Sequence, residues 1–401
     1  MIVLKVIFFI ALFALVFNYL LYPLSLSILA KNKQINIPFY TQTETTLPIV
    51  YILMAVYNEE KVIQQKINSI FSTNYPISKI NVLIGSDGST DNTNQLIKSH
   101  LNKKNIELIE FGGRNGKPQI INKLVTQFKQ KYTNQASETV FIMTDANVMF
   151  TENTIYQLTK YFKSEHVGIV GADIKNKNIQ PNKGIGFLEH FYVANENNIR
   201  KNESILYGKA MGIFGGCYAI KPSLYCRVPP NFLVDDFFLS MKVIEANNMV
   251  LQNPNAIAFE DVPNNIAEEF RRKRRIGAGN FQNLIYFKNL WWGKLTNTAF
   301  IFIAHKLLRW LGPFFLIIIF ISAALLSGVH FFYKMAFIVQ ILFLLNTLIY
   351  MVLKDVISMP KFSKIIAYFY TMNIALLRGF FDFLKGINSG IWEPTKRNIT
   401  A

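Results

Sequence analysis

The sequence predicts an α/β domain with a mostly parallel sheet, held between transmembrane helices. Short apolar runs alternate with amphipathic stretches from about residue 48, long uncharged runs stand near both ends, and most of the charge lies between residues 31 and 296.

Residues 6–30 carry no charged side chain, and neither do 311–333 or 335–353. Each run is long enough to cross a hydrocarbon core, which takes about 20 residues. The first run follows Lys5, exceeds the apolar core of a secretory signal, contains Pro23 and is followed by Lys31 and Lys33. It therefore reads as an uncleaved anchor. A weaker candidate at 365–384 is interrupted by Arg378 and Asp382, whose i,i+4 spacing permits a mutual pair facing a bundle interior. If 365–384 spans, Lys396 and Arg397 lie outside, against the charge rule; if it is interfacial they stay inside. The expected division is an anchor over 1–31, a soluble domain over 32–265, an amphipathic segment over 266–296, two or three helices over 297–390 and a tail over 391–401.

The 401 residues are 51% hydrophobic, too apolar for an ordinary soluble protein, while the charged middle is too long for a pure transporter. The net charge of +17 could signal nucleic acid, but the basic residues crowd the flanks of the spans: Lys31, Lys33, Arg271 to Arg275, Lys288 and Lys294. That pattern points to a domain on the cytoplasmic face of the cell membrane, with the lipid bilayer as partner and no nucleic acid. Cys217 and Cys226 are too few for a disulfide framework and read as free thiols.

Within the soluble segment the apolar runs are Ile49–Val56, Ile80–Gly85, Ile106–Phe111 and Thr139–Thr144, with helical patterns near 59–71, 91–102 and 117–130 between them. Strand and helix at this spacing argue for parallel strands covered on both faces. Ligands of such sheets sit beyond the carboxyl ends of the strands. There the sequence puts Tyr57-Asn58-Glu59 after the first run, Gly85-Ser86-Asp87-Gly88-Ser89 after the second and Asp145-Ala146-Asn147 after the fourth.

Each motif suits one part of a group transfer. Asp87 can accept hydrogen bonds from a nucleobase imide, with Gly88 letting backbone approach, while Asp91 reads as a helix cap. Asp145, with Asn147 as a weaker ligand, can hold Mg2+ or Mn2+ against a departing diphosphate. Asp235 and Asp236 are either plain helix N-terminal charges or hold the base that deprotonates an attacking hydroxyl; the small-residue loop Gly212–Cys217 before them favours the second. Lys117, Arg272 and Arg275 are candidates for diphosphate contact, the two arginines sharing a helical face at i,i+3. Residue 118 is Pro, so the Gly112–Lys117 loop is no ATPase P-loop. The basic and aromatic mixture at 271–292 reads as an amphipathic segment in the membrane interface.

In this order the residues resemble inverting family 2 glycosyltransferases of the GT-A fold, and among them membrane synthases of the hyaluronan, chitin and poly-N-acetylglucosamine type. The resemblance covers about 48–290 with the flanking spans. It implies that Tyr57, Asn58, Glu59 and Asp87 bind the nucleotide, with Asp87 on uracil, that Gly116, Lys117, Asn122 and Lys123 lie near the diphosphate, and that Asp145 and Asn147 hold the metal. It makes Asp236, the second of the acidic pair, the general base. Two departures stand out: Asn147 replaces the second acid of the metal motif, and Arg272 and Ile276 replace the Gln and Trp of the Gln-x-x-Arg-Trp motif that accompanies processive synthesis. The implied reaction is transfer from a UDP-sugar donor to a glycan acceptor. A single transfer to a polyprenyl-phosphate or other lipid-linked acceptor is the alternative, and a non-catalytic basic scaffold is the alternative of another class.

Overall fold

The computed structural model describes residues 1–101, 105–132, 138–177, 186–261, 265–354, 356–357, 359–387 and 389–390, so the tail at 391–401 lies outside the described residues. Two compact units are present. One comprises Met1–Leu29, Gln180–Glu189 and Pro263–Gly386; the other comprises Ala30–Ile179, His190–Val262 and Ile387–Ala401.

The first unit begins with α1 (Ile2–Val16) and α2 (Tyr22–Leu29), joined by a wider π-type turn over Phe17–Leu21. Pro23, with no N–H to donate, follows where the ladder is already widened. Together they form a 28-residue apolar helix.

The second unit is built on a sheet of β1 (Ile49–Val56), β2 (Ile80–Asp87), β3 (Ile106–Phe111), β4 (Thr139–Thr144), β5 (Val148–Phe150), β6 (Val167–Lys177), β7 (Cys217–Ile220) and β8 (Met249–Asp261), in spatial order β3-β2-β1-β4-β7-β6-β8-β5. The first four strands pair in parallel, as the alternating pattern predicts. Beyond β4 the sheet is mixed: β7 runs antiparallel to both β4 and β6, β6 and β8 are parallel, and β5 closes the edge antiparallel to β8. β1 and β4 are buried along nearly their whole length, which is why they read as unbroken apolar runs. Between the strands lie α3 (Ile63–Phe71), α4 (Thr93–Lys98), α5 (Lys117–Lys131), α6 (Thr154–Thr159), α7 (Gly186–Tyr207, whose first four residues belong to the first unit) and α8 (Asp235–Glu245). Val50, Ile52 and Met54 of β1 pack with Ile63, Ile67 and Ile70 of α3 in the main core.

The first unit resumes with α9 (Ile266–Tyr286), α10 (Lys288–Trp291), α11 (Asn297–Ile301), α12 (Leu308–Trp310), α13 (Gly312–Leu326), α14 (Phe331–Leu353) and α15 (Lys361–Leu384). The uncharged run at 311–333 is not one helix: α13 covers 15 residues of it, and its axis turns 61° from the helical stretch Asn297–Trp310. Pro313 explains the break, since a residue without N–H starts a helix more readily than it continues one. Among the described residues two helices, Ile2–Leu29 and Phe331–Leu353, are long and apolar enough to cross a membrane, with a third span if the bent pair is one. The chain is a membrane protein.

The weak candidate at 365–384 falls within α15, which lies along α9 in the same unit. A β-carbon at Gly379 would come within 2.5 Å of the Arg274 carbonyl oxygen, so glycine permits the close crossing. The expected Arg378–Asp382 pair is corrected here. Asp382 accepts both arms of the Arg274 guanidinium, at 2.5 and 2.8 Å, because a planar fork from the facing helix matches a carboxylate better than a neighbour on its own helix.

Candidate active site

Asp87 closes β2, and the loop after β3 folds back onto it. Its carboxylate accepts from the backbone N–H of Asn115 (2.6 Å) and Gly116 (2.9 Å), from Asn115 Nδ2 (3.2 Å) and from Arg114 Nε (3.4 Å). Both oxygens of Asp87 are thus held by the 114–116 loop. Gly88 makes the fold-back possible: its φ is +71°, and a β-carbon there would meet the Gly113 carbonyl oxygen at 2.8 Å. The Arg114 guanidinium stacks 3.4 Å from the Tyr57 ring centre. Tyr57 is thus the one of the 57–59 triplet beside Asp87's loop. Asn58 instead accepts from Thr90 N–H at 2.8 Å, and the Glu59 N–H donates to Thr93 Oγ1 at 2.7 Å, locking the turn before α4. Asp91 accepts from the Thr93 N–H at 3.0 Å, as a capping group does.

The same loop delivers the next residue. Gly116 precedes α5, and Lys117 opens it with Pro118 behind. Lys117 Nζ donates to Asp145 Oδ1 at 2.5 Å and to the Gly215 carbonyl at 3.1 Å. Burial works against its charge, but Asp145, Asp235 and Asp236 outweigh that and hold the ammonium above the ordinary lysine range. Gly215 also touches the acidic pair, since a β-carbon there would lie 2.6 Å from Asp236 Oδ2. Asp236 sits in the first turn of α8, and burial, with Asp235 beside it, pushes its carboxyl up to about 6. Asp87, Asp145 and the 235–236 pair are therefore linked through one continuous set of contacts, with Lys117 at its centre.

Asn147 Nδ2 donates to Glu260 Oε1 at 3.3 Å, so its amide oxygen is the atom that can serve a cation. Among the described residues no three His, Cys, Asp or Glu side chains converge as a metal cage would. One carboxylate and one amide fit a hard cation that arrives with substrate phosphates, and the Lys117 ammonium on Asp145 marks that spot as one for positive charge.

Arg272 and Arg275 belong to the other unit, on α9. Arg272 lies 3.8 Å from Glu189 and 3.6 Å from Glu269, two buried acids that Lys273 also pairs with at 3.2 and 3.3 Å. Glu189 further accepts from the Tyr368 hydroxyl. Arg275 is half-buried on the same helix. Both cysteines are free, and burial pushes the Cys217 thiol up to about 12, which leaves it inert.

Sequence reasoning missed three buried or half-buried cations. Arg114 was passed over inside a glycine-rich loop, 27 positions along the chain from the Asp87 it bonds. Arg200 of α7 adds its charge to Asp236 while pairing with Glu196 at 3.4 Å. Lys66, on α3, is wholly buried.

Residues 51–225 match the family model described as Glycosyl transferase family 2. Among curated proteins the chain is 23% identical over 286 residues to a poly-beta-1,6-N-acetyl-D-glucosamine synthase of Staphylococcus epidermidis, covering 67% of this chain and 66% of that one. It is 22% identical over 240 residues to the protein of the same description from Staphylococcus aureus strain COL, covering 59% and 55%. The match thus spans less than two thirds of either relative's own length. Among solved structures, a mannosyltransferase from Pyrobaculum calidifontis, in complex with GDP-Man and Mn2+, aligns over 95% of this chain and 99% of its own with a TM-score of 0.69 at 19% identity. That likeness fixes the fold as GT-A. Fold and family model together place residues 51–225 among glycosyltransferase domains of the GT-A fold. More particularly, the chain carries a glycosyltransferase family 2 domain, over residues 51–225.

Proposed function

We propose that this is a membrane-bound inverting glycosyltransferase that transfers a sugar from a UDP-sugar to a glycan acceptor on the cytoplasmic face, in cell-envelope polysaccharide synthesis. The observation that carries the reading is Lys117, paired to Asp145 at 2.5 Å and held charged by Asp235 and Asp236. A cation fixed between the metal-motif acid and the acidic pair stands where a diphosphate leaving group must be neutralised beside the attacking hydroxyl. The poly-N-acetylglucosamine synthases among its relatives support the glycan acceptor, and the basic flanks of the spans support the cytoplasmic face.

In this reading Asp236 takes the proton of the acceptor hydroxyl, for which a carboxyl near 6 is suited at neutral pH. Asp145 and Asn147 would hold Mg2+ or Mn2+, which neutralises the diphosphate charge. Lys117 adds a second positive charge, and Arg272 and Arg275 supply further diphosphate contacts. Tyr57 offers a ring for the base. Asp87 reads the base by sharing oxygens already engaged with the 114–116 loop, and Asn58 and Glu59 support the nucleotide by holding the neighbouring turn.

A radiolabelled donor screen on membranes, with product sizing, tests the reading. A ladder of oligosaccharides from a UDP-sugar is expected. A single lipid-extractable species would favour the lipid-linked acceptor. Incorporation from GDP-mannose alone would overturn the uridine assignment.

A further inference from the structure

On α3, Ile63, Lys66, Ile67 and Ile70 form the buried face, so a lysine occupies a position where the pattern calls for an apolar residue. No part of Lys66 is exposed. Its ammonium donates to Thr144 Oγ1 at 2.9 Å and to the Val148 carbonyl oxygen at 2.5 Å, and lies 3.5 Å from the centre of the Phe150 ring. Thr144 is the last residue of β4 and Val148 the first of β5. Between them are only Asp145, Ala146 and Asn147. The ammonium therefore ties together both ends of the turn that carries the two expected metal ligands, from the core side. The backbone adds one tie to the neighbouring loop, Asp145 N–H to the Gly216 carbonyl at 3.0 Å.

Packing does not require this arrangement. Burial drags the lysine down to about 7, against the favourable influence of Cys217 and Asp145. An apolar side chain of similar length would avoid that cost while giving up two hydrogen bonds, so burial alone supplies no reason for a lysine here. A buried lysine nitrogen kept at such a place, bonded to both ends of a three-residue turn, is explained by what the turn holds.

We infer that Lys66 is a positioning residue that fixes the Thr144–Val148 turn, so that Asp145 and Asn147 present their oxygens together to the metal-bound diphosphate. The inference rests on the proposed function for what the turn binds, but not for the clamp itself. Outer partners of this kind typically change metal affinity about 10- to 100-fold when lost.

The test uses the full-length protein in detergent and the Lys66→Met variant, with two readouts. Hydrogen exchange of the amides at 145–150, measured without nucleotide or metal, is expected to quicken about 10-fold or more in Lys66→Met, while the melting temperature stays level or rises. The Mn2+ concentration for half-maximal UDP binding is expected to rise about 10-fold. Parent-like exchange at 145–150 overturns the inference, as does a parent-like or lower Mn2+ requirement, while the proposed function stands. If the parent itself shows no metal-supported UDP binding, that function fails, and the exchange readout still decides the clamp. Thr144→Val, which removes one of the two bonds, must show the same pattern in weaker form, and it carries the test should Lys66→Met not fold.

Discussion

The ammonium of Lys117 lies 2.5 Å from Oδ1 of Asp145, and the same nitrogen is 3.1 Å from the carbonyl of Gly215, the residue that abuts Asp236. One lysine therefore joins the strand-end acid of β4 to the acidic pair opening α8. Its position follows from α5 starting at the glycine-rich loop that Asp87 pins down.

Lys117→Met should leave the fold intact and lower kcat about 100-fold, the scale seen when one preorganised charge-stabilising group is removed. Steady-state kinetics with the best donor, beside a thermal melt, checks it. A variant with parent-like kcat contradicts the role.

Asp236→Asn should abolish transfer, by about 100-fold or more, while UDP binding survives, because the amide keeps the shape but cannot take a proton. Titration of UDP into the variant, set beside its turnover, separates these effects.

The pH profile carries the same assignment. Asp236 titrates near 6 in the folded protein, so kcat should rise with pH through about 6 and level off above it. The sign for stability is opposite. A carboxyl raised on folding binds its proton more tightly in the native state, so its contribution grows as pH falls from above 6 toward the unfolded carboxylate value near 4. Melts of parent and Asp236→Asn across pH 4–8 should differ in that direction.

Gly215→Ala should cost activity out of proportion to stability. The added β-carbon would sit 2.6 Å from Asp236 Oδ2, so the carboxylate must shift, and misplacement by about 1 Å can cost about 100-fold in rate. Gly88→Ala is expected to do the reverse. A positive φ and a carbonyl oxygen at 2.8 Å from the new atom should lower stability by more than about 1 kcal/mol, readable in a denaturant titration.

The first half of the sheet was legible because parallel strands covered on both faces read as unbroken apolar runs; the expected limits of β1, β3 and β4 match the structure residue for residue. The second half was not. β7 is only four residues long, and β8 carries Gln252, Asn253, Pro254 and Asn255 in its middle, where its register with β6 shifts. These break the two-residue alternation that marks a strand. Asp87 and Asp145 stood out because they recur at the carboxyl ends of strands, where ligands of such sheets sit, and Asp236 because a small-residue loop precedes the acidic pair. Lys66 was invisible for the opposite reason, since a lysine in an amphipathic helix reads as a surface residue unless its exact face is known. Asp382 was paired with Arg378 because spacing along one helix is visible in sequence, whereas the fork offered by Arg274 from α9 is not.

The most direct measurement of the central claim, that these acids and Lys117 surround a metal-bound nucleotide diphosphate, is a calorimetric titration of UDP into the purified protein with Mn2+ and with a chelator, on the parent and on Asp145→Ala. The account predicts binding by the parent that weakens at least about 10-fold on chelation, and binding by Asp145→Ala that no longer responds to metal. Equal UDP affinity with and without metal in the parent would contradict it.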